Sequence, residues 1–167
     1  MRLPLFAALL SFTGLAAGAN ASDAEFLNSL AGDWSGSGMI LTRIGGMKVN
    51  VSCSLKSDTS PTTVAMNGNC RALAAVTRSF SAKVKAAGQG YTGNYTGPSG
   101  RPSKLVGSRK GDALNFAVTW AHVTNGDRSA SMMIEKVGQN GLRLQTVDRD
   151  PASGRAVVTS RIDLQRQ

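Results

Sequence analysis

Residues 47–56, "MKVNVSCSLK", decide the fold. Met47, Val49, Val51, Cys53 and Leu55 alternate with Lys48, Asn50, Ser52, Ser54 and Lys56, and period two is the pattern of a strand with one dry face and one wet face. The next apolar stretch, "TTVAMNGNC" (62–70), puts Val64, Met66, Gly68 and Cys70 on one face. Between the two, "SPTT" (60–63) reads as a tight turn with Pro61 at its second position. A hairpin centred on Pro61 and Thr62 pairs residues whose numbers sum to 123, as 53 and 70 do. Cys53 and Cys70 therefore fall opposite each other on the apolar face, at a Cα separation of roughly 4.5 Å that a disulfide can span. Closing that loop stabilises the fold by about 3 kcal/mol in the chain-entropy account.

Outward from this hairpin the alternation continues. Strands are expected at 33–42, 76–86, 90–96, 104–109, 114–123, 129–137, 142–148 and 156–164, divided by turn signals such as "TNGD" (124–127), "GQNG" (138–141) and "DPASG" (150–154). Ahead of them "SDAEFLNSLAG" (22–32) predicts one short amphipathic helix, capped by Ser22 or Asp23, with Phe26, Leu27 and Leu30 on one face and Gly32 ending the turn. The expectation is an all-β fold: an antiparallel meander β-barrel of about 8–10 strands with one short N-terminal helix, since closure hides sheet edges.

Residues 1–21 carry the three parts of a secretory signal peptide. Arg2 gives the charge, "LPLFAALLSFTGLAAG" the apolar run, and Ala19, Asn20 and Ala21 a small-x-small cleavage site. The expected domain is therefore 22–167, secreted or periplasmic, with no transmembrane segment after cleavage, and an exported chain with two cysteines fits one disulfide. Of 19 Lys and Arg, Arg2 leaves with the signal; the remaining 18 against 10 Asp and Glu give the mature chain a net charge of +8. Such a surface suits an anionic envelope component. Nucleic acid is disfavoured, because no basic run exceeds two residues and aromatics make up only 5% of the chain.

Few motifs suggest chemistry. "GQGYTG" (88–93) matches a dinucleotide fingerprint in letters, but "NYTGPSGRPS" follows it and cannot form the helix that a pyrophosphate needs. The same reasoning removes "LAGDWSGSG" (30–38) as a phosphate loop, since "MILT" continues it as strand. No G-x-S-x-G elbow or spaced carboxylate pair is present, and the chain has one histidine, His122, too few for a metal site with two cysteines already paired. The expectation is a protein that is not an enzyme, with no catalytic or metal residues and no cofactor.

Candidate ligand contacts come from the inward faces. Arg78 shares its face with Val76, Phe80, Ala82 and Val84, where a guanidinium would meet an anionic group of a ligand. Trp120 and His122 continue the apolar face of Leu114, Phe116 and Val118. Tyr91 and Tyr95 flank Gly93 on one side of a glycine-rich strand, an arrangement that can line a portal. Arg161 lies opposite the face of Val158, Ile162 and Leu164 and is expected to point outward.

The order of elements, a helix ending in "FLNSLAG", then Gly32, Asp33 and Trp34 as a G-x-W, then the meander, resembles the calycin-type barrels, and within them the fatty-acid-binding and nitrobindin-like group. The resemblance implies a cavity for a small apolar or amphipathic molecule, with Trp34 and Gly32 in structural roles at the closed end. It does not carry over haem: nitrobindin-like proteins hold it through a histidine on a strand near the C-terminus, and "RAVVTSRIDLQRQ" has none. An early G-x-W with one disulfide also resembles the bacterial metalloprotease inhibitors, which implies a protease as partner. The function expected is an exported, non-catalytic barrel binding a small hydrophobic or amphipathic ligand; the alternative is a secreted protein-binding barrel, either a protease inhibitor or an envelope-interaction protein.

Overall fold

The computed structural model describes residues 18–72 and 76–167. Most of the expected leader lies outside these residues. The described residues form one helix, α1 (Gly18–Ser29), and ten strands: β1 (Gly32–Leu41), β2 (Lys48–Ser60), β3 (Thr63–Ala72), β4 (Val76–Ala87), β5 (Gly90–Thr96), β6 (Pro102–Lys110), β7 (Ala113–Thr124), β8 (Asp127–Val137), β9 (Gly141–Arg149) and β10 (Ala156–Arg166). Each strand pairs antiparallel with its sequence neighbours, and β1 pairs with β10, so the meander closes on itself. No helix among the described residues is long and apolar enough to cross a membrane.

The founding hairpin has the expected register. Cys53 lies opposite Cys70 and Ser60 opposite Thr63, and the cysteines are joined with their Cα atoms 4.1 Å apart. Both are buried, so the disulfide forms part of the inner wall.

Closure depends on glycine in β1. A Cβ on Gly36 would run into the Asp163 carbonyl and the Leu164 Cα, and one on Gly38 into the Arg161 carbonyl and the Ile162 Cα. Only a bare backbone lets β1 coil so tightly against β10. Gly32, at φ +124°, makes the turn from helix to barrel in a conformation that side chains rarely adopt.

The two ends of the barrel differ. At one, Phe26, Leu27 and Leu30 of α1 are buried together with Trp34, Leu55, Leu114, Leu142 and Leu164. The Trp34 indole N–H donates to the Leu30 carbonyl (3.2 Å). Arg109 lies 4.4 Å from the centre of the Phe26 ring and pairs with Asp23 at 2.9 Å. The helix thus plugs this end with an apolar stripe and fastens itself at the rim.

Three parts of the sequence reading change. α1 begins at Gly18, ahead of Ser22. Met47 is exposed, because β2 starts one residue later and Met47 belongs to the preceding turn. Val158 is also exposed: the β9–β10 register shifts between Val158 and Ser160, and this bulge turns Thr159 inward in its place.

Candidate functional site

The end opposite α1 holds a cavity of about 280 Å³. Its apolar wall includes Ile40, Met66, Phe80, Met132, Leu144 and Ile162, and Cys70 brings the disulfide into it. These side chains come from the middle of the strands and from their stretches farther from α1, where alternation points them inward above the helix plug. Phe80 is seated over Gly68 of β3, where a Cβ would strike its ring. The ring is therefore placed by a glycine one strand away.

Tyr95 and Trp120 stand at the cavity with ring centres 6.1 Å apart and planes at 66°, an edge-to-face contact. Burial pushes the Tyr95 phenol above its ordinary value. The Trp120 indole N–H donates to Asp148 Oδ1 at 3.2 Å, and the Thr159 hydroxyl donates to Asp148 Oδ2. Asp148 is 3% exposed. A buried carboxylate held by two neutral donors therefore sits in an otherwise largely apolar chamber.

Arg78 also lines the cavity, at its rim. Its register opposite Cys70 keeps the inward parity that the sequence suggests, but the guanidinium is exposed, as is Val76 beside it. The first residues of β4 extend past the filled part of the barrel. Direction was readable from alternation; depth was not.

The remaining candidates fall elsewhere. Tyr91 shares the inward side of β5 with Tyr95 but lies at the plugged end, buried, with no hydrogen-bond partner for its hydroxyl among the described residues. Burial, reinforced by nearby Asp23, pushes its phenol up to about 12. His122 is exposed and does not line the cavity. Trp120 and Thr124, of the same parity, line the chamber, while His122 between them does not; all three lie at or within the break in β7–β8 register after Thr119. Arg161 is exposed, as expected, and pairs with Asp163 at 3.1 Å.

The sequence reading missed three contributors. Asp148 shares the parity of the inward Leu142 and Leu144, so alternation alone could have found it. Thr159 required knowledge of the bulge. Arg166, at the plugged end, stacks on Trp34 and shares the parity of the inward Ile162 and Leu164, so alternation could have pointed to it as well.

Fold and site together define a closed ten-stranded antiparallel meander barrel, plugged by a helix at one end and hollow at the other. Among solved structures, the crystal structure of Rv2717c from M. tuberculosis is similar, with a TM-score of 0.66 and 16% sequence identity, over 87% of this chain and 97% of that one. At that identity the likeness is one of fold. No protein-family model matches the chain, and no curated protein matches it in sequence.

Proposed function

We propose that this protein is an exported, non-catalytic barrel that binds a small hydrophobic or amphipathic molecule. The observation that carries the reading is the chamber of about 280 Å³ with apolar and aromatic walls at the end opposite the helix plug. The disulfide fits an oxidising compartment outside the cytoplasm. The helix ahead of the G-x-W and the closed meander barrel support placing it with the calycin-like barrels. Haem is not part of the proposal: the one histidine is exposed and does not line the chamber.

A protease-inhibitor role would need a free N-terminal segment, whereas the apolar side chains of α1 are buried in the barrel floor. An envelope-interaction role draws only on the cationic exterior. Native mass spectrometry of protein purified from its own source tests the carrier reading. A bound small molecule, lost on denaturation and lost in Trp120→Ala, is the expected result. Protein that arrives empty and binds no amphiphile in titration would sink it.

A further inference from the structure

Asp148 and Arg78 are the charged side chains among those lining the chamber, and they are placed very differently. Arg78 is exposed at the rim. Asp148 is 3% exposed, and neither residue is in an ion pair among the described residues. Removing a carboxylate from water costs several kcal/mol unless partners replace the lost hydration. Trp120 and Thr159 supply one donor each. An ionised carboxylate has about four acceptor positions, so about two remain.

Building on the carrier reading above, we infer that the chamber is specific for amphiphiles bearing a cationic amine, whose ammonium group is held by Asp148 beside Trp120 and Tyr95. An ammonium group brings three donors and a full positive charge to a site where low polarity strengthens both. The apolar tail would then lie along Phe80, Met66 and Met132. The ammonium loses its own hydration on entry, so the net preference over a neutral head group is smaller than the bare attraction. The basic exterior does not oppose this at close range, because charges beyond roughly 8 Å are screened at physiological salt.

The test is calorimetric titration of the full mature protein with three ligands of one tail length: octylammonium, octanol and octanoate, at neutral pH. Octylammonium should bind about ten-fold or more tighter than octanol, with octanoate weakest. Asp148→Asn should remove the advantage of the amine while octanol binds as before; Arg78→Gln should leave the order unchanged. If octanol binds but octylammonium binds no tighter, the head-group inference is overturned and the carrier reading stands. If octanoate binds tightest, the contact belongs to Arg78 and the inference is equally overturned. If none of the three binds, the carrier reading itself fails. The order of the three ligands on the unaltered protein decides the matter even if Asp148→Asn does not fold.

Discussion

The Arg166 guanidinium lies over the Trp34 ring, 4.2 Å from its centre, and its Nη2 donates to the Ser29 carbonyl at 2.8 Å while Nη1 reaches the Ala31 carbonyl. One side chain from the last strand therefore covers the aromatic of the first and holds carbonyls at and just beyond the end of α1, which a helix leaves without internal partners. Arg166→Ala should destabilise the protein by about 2–3 kcal/mol in urea unfolding. Arg166→Lys should recover little, because an ammonium cannot stack flat and bond two carbonyls at once. A cost of Arg166→Ala below about 0.5 kcal/mol would show that the helix plug stands without it.

The disulfide joins adjacent strands across a sequence separation of 17. The double variant Cys53→Ala/Cys70→Ala should lose about 3 kcal/mol, a fall of roughly 10 °C in Tm for a domain of this size. Single serine variants should fare worse, since each leaves a hydroxyl on a buried wall. Equal melting of reduced and oxidised protein would contradict this.

Tyr91 links stability to alkaline pH. Its phenol titrates near 10 in the unfolded chain and at about 12 in the fold, so the folded state retains the proton longer. Below pH 10 this difference has no effect; as pH rises from 10 through 12 the unfolded chain ionises first and the fold loses about 2–3 kcal/mol of stability. Tyr91→Phe should flatten that part of the pH–stability curve. At neutral pH it should be neutral or stabilising by about 1 kcal/mol, because it removes a buried hydroxyl that has no partner. Parallel curves for the two proteins between pH 9 and pH 12 would refute the assignment.

Gly36 and Gly38 set how closely β1 meets β10. Gly38→Ala should cost more than about 2 kcal/mol, since its Cβ meets fixed backbone rather than a movable side chain. Hydrogen exchange should show the loss concentrated in β1 and β10, and a uniform loss across the barrel would be inconsistent with a local clash.

Much of the fold was legible because alternation and turn residues agree at nearly every step. The pairing of Cys53 with Cys70 followed from a turn and a register alone. Alternation reports which way a side chain points, however, and not how far along the barrel axis it lies. Tyr91 and Tyr95 share a direction yet serve opposite ends, and Arg78 points inward at a level where the barrel is already open. Alternation also fails wherever the register slips. His122 falls inside the break after Thr119 and does not line the chamber, and the bulge at Thr159 exchanged Val158 for a hydroxyl that holds Asp148. Nothing nearby in sequence announces either event, because both depend on how a strand fits its neighbour.

The seam between β1 and β10 has a kinetic meaning. Nine of the ten strand pairings join sequence neighbours and can form as hairpins, whereas this one joins residues such as Trp34 and Arg166 from opposite ends of the barrel sequence. It carries the largest loop-closure cost and should be the last ladder to zip. Until it does, the chain is an open sheet with two bare edges, vulnerable to pairing with other copies. Trp34, Arg166 and the β1 glycines therefore govern how briefly the newly made chain remains in an aggregation-prone form.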